Sequence, residues 1–451
     1  MELNMEKSFA QQIAEFAGIA LEAAKKAGIA PAEVSVTDSA AFSVRVRAGT
    51  LEDYKVSDKF RLTLRGRVNG RIGTASTQAL DDEGLALLIQ GVKESAELIE
   101  TDEQDDILPP DTYYETVRCF SEPVESITAE EKIALARSID ERLHAADKRI
   151  KPDATVVSTA SESFCLKNSL GLDLSHQSNM IYAYASCLAK EGDASATGFK
   201  LLWGYGMDDV QSEAIADGCV QDALSKLGAG RMKSGAYPVV IRNNAMADLL
   251  STFSGVFSAD NAQKGMSLLA EKEGQRIAGS SVTIVDDPLM EWGLGSCPFD
   301  REGAATKRKN IVEHGVLTTL LHNRKTAKKA GVKTTGNAAG AGRVAPSNLY
   351  LAPGKENLDA LLEHMGSGVL LTEVSGLHAG ANPVSGDFSL LARGFEVADG
   401  KPVRAVEQFT VAGNFYKLLE DITAVGSDLL FEGSPIGSPS AAVCSLSVAG
   451  E

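Results

Sequence analysis

The sequence predicts an α+β protein. An N-terminal α/β domain built on antiparallel hairpins precedes a C-terminal β-rich domain with a barrel-like or curved sheet. Three observations predict this. Helical periodicity alternates with period-two stretches over residues 1–230. Gly228–Tyr237 (GAGRMKSGAY) then interrupts both periods with glycines and small residues. From Gly293 onward the chain reads as short strands separated by Gly, Pro and Asn turns. The expected domains are therefore 1–230 and 236–451.

The elements follow in order. Phe9, Ile13, Phe16, Ala20, Ala24 and Ala27 recur at helical spacing, and Gly28 is a stop signal. Short strands are expected at Glu33–Asp38, Phe42–Arg47, Leu51–Val56, Arg61–Val68 and Arg71–Thr77, with hairpin turns at Ala48-Gly49 and Asn69-Gly70. Leu85, Leu88, Val92, Ala96 and Ile99 mark a second helix. The acidic run Glu100–Asp111 reads as a surface connector. Thr128-x-x-Glu131 is a capping box opening a third helix. Strands at Ala154–Leu166, Asn179–Lys190 and Thr197–Trp203 follow, then a helix carrying Ile215, Cys219, Ala223 and Leu227. This second pass repeats the first, and aligning Phe42 with Phe164 superposes Gly49 on Gly171, which suggests an internal duplication. In the second half, Val239–Arg242 reads as a strand and Met246–Phe257 as a helix. One further helix is expected near Asn357–His364.

Composition excludes several classes of function. The chain has 451 residues, 44% of them apolar, with 61 acidic against 44 basic side chains and a net charge of −17. Such an acidic chain is poorly suited to nucleic acid. No stretch approaches 18 apolar residues, and Met1–Lys26 has no apolar run, so neither a membrane span nor a signal peptide is expected. The six cysteines contain no C-x-x-C pair, so buried thiols in a reducing cytoplasm are expected, with Cys444 in the core. The six histidines show no i, i+4 pair, and no nucleophile elbow or Walker motif occurs. Gly336–Gly342 reads as a flexible surface loop. Asp300–Lys333 holds nine basic and three acidic residues and reads as a solvated face, with an acidic protein partner as the alternative.

Thr372–Leu429, which includes SGLHAGANPVSGDFSLLARGFEV, is more specific, as are Asn337-Ala338 and Leu351-Ala-Pro-Gly-Lys355. With the Arg45–Gly49 strand and turn, these segments resemble the TldD/PmbA family, and within it the PmbA (TldE) branch. The resemblance implies a cytosolic metallopeptidase assembly, long described as a modulator of DNA gyrase, that acts on peptides or small unfolded proteins. It implies a heterodimer in which a TldD-type subunit holds zinc on an H-E-x-x-x-H helix. In this sequence Ser251, Thr252 and Val256 stand at the three motif positions, and Gly255 precedes the last of them. The cysteine ligand of the TldD branch also lacks a counterpart in the shortened Glu432–Pro439 region. No metal or other cofactor is therefore expected in this chain. A five-residue step turns an ideal helix by about 140°, so a site of that kind needs a helix break.

Two other readings stay open: a non-enzymatic regulator or binding module, and a peptidase active by itself. The chain is expected to form homodimers when isolated, with the Gly-rich second half as the interface. His378, Asn382 and Ser385, in the loop His378–Gly386, are the expected peptide-binding residues, because glycines admit a close backbone and the three side chains supply donors and acceptors.

Overall fold

The structure, a computed structural model, describes residues 9–99 and 106–451. The start of the chain, the side chain of Phe9 and most of the acidic connector lie outside the described residues. In chain order the first half consists of α1 (Phe9–Lys26), β1 (Ala32–Arg47), β2 (Thr50–Val68), β3 (Arg71–Thr77), α2 (Asp82–Glu97), α3 (Glu122–Ser126), α4 (Ala129–Ala146), β4 (Ile150–Asn168), β5 (Asp173–Glu191), β6 (Ala194–Gly204) and α5 (Ser212–Lys226). Its strands form one antiparallel sheet in the order β3-β2-β1-β4-β5-β6.

The two hairpin turns fall where the dipeptides predict them. Ala48-Gly49 and Asn69-Gly70 both have positive φ at each residue, as a two-residue hairpin of right-twisted strands requires. The capping box of α4 also forms, with Thr128 and Glu131 bonding each other's backbone N–H. The strand count differs. The four strands expected between Glu33 and Val68 are two long ones, β1 and β2. The segments Ser39-Ala40-Ala41 and Ser57-Asp58-Lys59 hold no glycine or proline, and the ladder runs through them. They look like interruptions because this stretch lacks the apolar alternation of a half-buried strand.

All four long helices lie on one face. α1 and α2 bury Phe16, Ala20, Leu88 and Val92 against Val34, Val36, Leu62 and Leu64. α4 and α5 bury Ile139, Leu143, Ile215 and Cys219 against Val44, Val157, Ile181 and Ala183. The other face is polar over β1 and β2. An offset of 121 residues superposes the β1–β2 pairing on the β4–β5 pairing: the pair Ala40–Asp58 falls on Ser161–Asn179. The sequence alignment of Phe42 with Phe164 is therefore out of register. Phe42 stands opposite Thr159 on the helix face, under the Lys132 ammonium at 4.6 Å. Phe164 stands opposite Thr37 on the other face, packed on Phe299.

The second half contains β7 (Gly235–Ile241), α6 (Asn243–Phe253), α7 (Ala259–Gln263), β8 (Ile284–Asp286), β9 (Lys309–Glu313), β10 (Val316–Leu317), α8 (Arg324–Ala330), β11 (Leu349–Leu351), α9 (Leu358–Met365), β12 (Gly368–Ser375), α10 (Leu377–Gly380), β13 (Asp387–Ala398), β14 (Lys401–Asn414), α11 (Phe415–Asp421), β15 (Ile422–Val425), β16 (Ile436–Gly437) and β17 (Ala441–Ala449). The expected barrel is present. The order β14-β13-β12-β7-β17 closes because β17 pairs with both β7 and β14. A smaller sheet, β10-β9-β8-β11-β16, packs beside it. Between them lies the largest core, where Phe253 of α6 stacks on Phe415 at 4.6 Å.

Four helices of this half escaped the sequence. α7 is a short helix capped by the Ser258 hydroxyl. α8 (RKTAKKA) has no apolar stripe and is held by the Asn323 cap, while α11 is capped by Asn414 in a region that reads as strand. α10 is a single turn. Cys444 is a correction too. It faces outward from β17 and is exposed, because Val443 and Leu446, on either side of a register shift, take the inward positions.

Candidate functional site

The helix that carries the three motif positions breaks where a five-residue step requires it. α6 ends at Phe253, and a single 3₁₀ turn, Ser254–Phe257, follows. Ser251 is exposed at the end of α6, whereas Val256 is buried in the core. The Thr252 hydroxyl donates back to the Asp248 carbonyl at 2.8 Å, and the Ser254 hydroxyl to the Ser251 carbonyl at 2.8 Å. The Gly255 carbonyl accepts from the Asn261 side-chain amide at 2.9 Å, which pins the break. Two hydroxyls and an isopropyl group do not fit zinc, which takes imidazole, thiolate or carboxylate ligands. Among the described residues no group of three or more His, Cys, Asp or Glu converges as a metal cage.

One turn before Thr252 stands Asp248. Its carboxyl pKa is pushed up to about 6, first by the surrounding protein and then by the like charges of Glu432 and Glu373. Asp248 itself remains exposed to solvent. Glu373 is held by Lys226 at 3.1 Å, and Lys226 in turn by Asp222 at 2.8 Å. Arg393 approaches Glu407 at 3.6 Å and Glu373 at 3.9 Å. These groups come from α5, α6, β12, β13 and β14 and from the segment before β16. Apart from the i, i+4 pair Asp222–Lys226, no spacing in the sequence connects them.

The expected peptide loop lies next to the same helix, since α10 packs against α6. His378 and Asn382 are exposed and Ser385 is half-buried. The Asn382 side-chain oxygen accepts from the N–H groups of Val384 (3.0 Å) and Ser385 (3.2 Å), and the Ser385 hydroxyl accepts from the Asp387 N–H at 3.3 Å. Both acceptors thus shape the turn itself, which leaves the His378 ring as the polar group of the loop best presented to solvent.

A concavity separates the helix-free face of the first sheet from the loops of the second half. Phe299 is buried there among Phe164, Tyr114 and His176, with ring centroids 6.0–6.4 Å away. Arg301 reaches across, pairs with Glu162 and lies 4.1 Å over the Phe164 ring. Cavities of about 320 and 590 Å³ flank this contact. The larger has a floor of Thr37, Arg61, Thr63 and Arg65 and a roof that includes Gly340 and Gly342.

The roof corrects another expectation. The start of Gly336–Gly342 is not a flexible surface loop. Asn337 is buried and donates to Asp286 at 2.8 Å and to the Ala345 carbonyl at 3.0 Å. Asp286 is itself paired with Lys309 at 2.9 Å, both side chains being out of solvent. The basic stretch Asp300–Lys333 is likewise no single solvated face. Lys309 is buried, Arg301 spans the two halves, and Lys328 pairs with Asp106 at 3.0 Å. Cys119, Cys187 and Cys219 are buried as expected, and all six cysteines are free.

Three family models match the chain: PmbA/TldA metallopeptidase domain 1 over residues 32–96, the central domain over 122–227 and the C-terminal domain over 234–450. The metalloprotease PmbA of Escherichia coli O157:H7 is 27% identical over 414 residues, covering 88% of each chain. A metalloprotease PmbA homolog of Haemophilus influenzae is 26% identical over 432 residues, covering 94% of this chain and 93% of its own. Among solved structures, a proposed modulator of a DNA gyrase from Thermotoga maritima superposes with a TM-score of 0.91 at 33% identity, over 97% of this chain and all of the other. TldE from Thermococcus kodakarensis, at 20% identity and a TM-score of 0.87, shares the fold. With all three domain models in sequence and the closed barrel behind them, the chain belongs to the PmbA/TldD family of metallopeptidase-like proteins.

Proposed function

We propose that this chain is a PmbA/TldE-type subunit of a heteromeric metallopeptidase acting on peptides or small unfolded proteins. A TldD-type partner supplies the zinc. The observation that carries the reading is the donor set at the end of α6. Ser251 and Thr252 offer only hydroxyls, and Val256 points into the core, on a helix end with the break that such a metal site needs. Six free thiols and the acidic net charge are compatible with work in a reducing cytoplasm. In this reading His378, Asn382 and Asp248 belong to the wall of a peptide chamber completed by the partner. Asp248 and its neighbours Glu373 and Glu432 would face peptide amines there.

The test is a cleavage assay on unstructured peptides with the chain alone and then with a TldD-type partner. Activity is expected only in the mixture, with zinc in the partner by elemental analysis. Stoichiometric zinc and cleavage by this chain alone would replace the reading with an independent peptidase. Pairing without cleavage would replace it with a regulator. Within an active mixture, His378→Ala with Asn382→Ala should slow cleavage about tenfold while the subunits still pair. An unchanged rate would reduce the loop to a turn.

A further inference from the structure

The helix-free face of the first sheet carries a line of positive charge on one strand. Every second residue of β2 lies on that face. From Asp53 to Arg67 these positions hold Lys55, Lys59, Arg61, Arg65 and Arg67 against a single acid, Asp53. Three of the cations are matched. Lys55 pairs with Asp53 at 2.6 Å, Arg65 with the buried Glu33 at 3.0 Å, and Arg67 with Asp106 at 2.7 Å. The other acids at this face are engaged as well. Glu162 pairs with Arg301, and the Glu302 carboxylate accepts the Arg324 N–H at 2.9 Å. Asp38 and Asp58 belong to the opposite face of the strands. Among the described residues, Lys59 and Arg61 have no acidic partner, and both are exposed.

These two cations border cavities. One of about 290 Å³ is lined by Lys59, Ser39 and Ser57, and the one of about 590 Å³ by Arg61 and Thr37; both reach Glu162. Ser39 and Thr37 stand opposite Lys59 and Arg61 on β1, and their short side chains leave the cavities open. The turn Gly340-Ala341-Gly342 roofs the larger cavity, and among the described residues none of its three N–H groups bonds a protein acceptor. We infer that this trough binds the carboxylates of an acidic peptide segment in extended form, with Lys59 and Arg61 as the anchors. Alternate residues of a strand and of an extended peptide are both roughly 6.8 Å apart. Acids at every second position of the peptide therefore reach both cations at once. The net charge of −17 opposes an acidic ligand over long range. At about 0.1 M salt the screening length is about 10 Å, so the two adjacent cations outweigh the distant acids. That the ligand is a peptide rests on the peptidase reading; that it is an anion rests on β2 and its partners.

The test is fluorescence anisotropy of labelled decapeptides that alternate Ser with Glu, Gln or Lys, on the full chain without partner or zinc. The Glu peptide should bind about tenfold tighter than the Gln peptide, the worth of two exposed ion pairs. Lys59→Glu with Arg61→Glu should reverse the preference in favour of the Lys peptide, and a reversed preference requires a folded chain. Lys329→Glu with Lys333→Glu makes the same change of charge at and beyond the end of α8 and should leave the order of the peptides as it is. Equal binding of the Glu and Gln peptides overturns the inference, as does a control pair that reverses the order too. An oligothymidylate that binds as tightly as the Glu peptide and is lost in the Lys59, Arg61 variant would assign the face to nucleic acid instead. No cleavage is read, so an inactive mixture with a TldD-type partner leaves this result standing, and a failure here leaves cleavage by the mixture untouched.

Discussion

Comparing the two three-stranded units of the first sheet shows how a repeated topology takes on unequal roles. Both run helix, three antiparallel strands, helix, and one offset relates their cross-strand pairs. In the second unit, the chain before α3 covers the β5 edge, Phe164 and His176 close on Phe299, and the Trp203 indole N–H donates to the Phe431 carbonyl at 2.7 Å. The second unit is thereby fastened to the barrel half. In the first unit the same stretch of strand, Thr50–Lys59, keeps its outer edge bare. Equivalent positions such as Asn179 and Asp58 carry the difference: one holds a neighbouring backbone and the other faces water.

The comparison can be broken by mutation, and the largest effect is expected at the seam. Phe299→Ala removes a buried ring packed on three others and should cost about 3–5 kcal/mol, because a large side chain leaves a cavity that cannot fully collapse. Tyr54→Ala, on the bare unit, should cost about 1 kcal/mol or less. Thermal melts of the two variants check this, and equal losses would mean that the seam is not where the units differ.

Asn179→Ala comes next. It strands the buried N–H and carbonyl of Ser121 and should cost about 2–3 kcal/mol. Asp58→Ala at the equivalent position should change stability by about 0.5 kcal/mol at most. Denaturant unfolding of the two variants sharpens the contrast, and equal losses at Asn179 and Asp58 would mean that the two edges do not differ.

Acid should separate the units as well. Burial pushes the His176 pKa below its ordinary value, so the native state holds the ring neutral. The unfolded chain then binds that proton at higher pH, and stability is lost as pH falls below roughly 6.5. The equivalent position in the first unit is Lys55. His176→Gln should flatten the fall in melting temperature between about pH 7 and 5, and an unchanged slope would count against the buried ring.

The smallest effect is at Asp248. Its raised pKa gives the opposite sign: the native state holds the proton longer, so stability declines as pH rises toward about 6. NMR titration of its carboxyl should show a midpoint near 6, moving down in Glu432→Gln. A midpoint in the ordinary carboxylate range would mean that neither its surroundings nor Glu432 and Glu373 hold the proton on Asp248.

The residues behind the family resemblance are mostly architectural. Asn337 ties the roof loop to the Asp286–Lys309 pair. A Cβ on Gly354 would stand 2.0 Å from the Val425 carbonyl oxygen, and one on Gly394 2.0 Å from that of Leu370. Only glycine permits those approaches, so such positions report the fold whether or not a metal site survives. Ser251, Thr252 and Val256 were legible because the resemblance says what else would stand there. Asp248, Glu373 and Glu432 were not, since separate elements of the barrel half bring them together.

By itself the sequence determined the elements whose causes are local. The long helices follow from an apolar stripe, the hairpins from Ala48-Gly49 and Asn69-Gly70, and the start of α4 from Thr128 and Glu131. Tertiary structure alone decided the rest. Whether Ser39–Ala41 ends a strand, which ring of Phe42 and Phe164 faces the helices, and which strand edge stays bare depend on partners far along the chain. Barrel closure is the clearest case: β17 meets β7 and β14 over long separations, through backbone hydrogen bonds that leave no periodic mark on side chains.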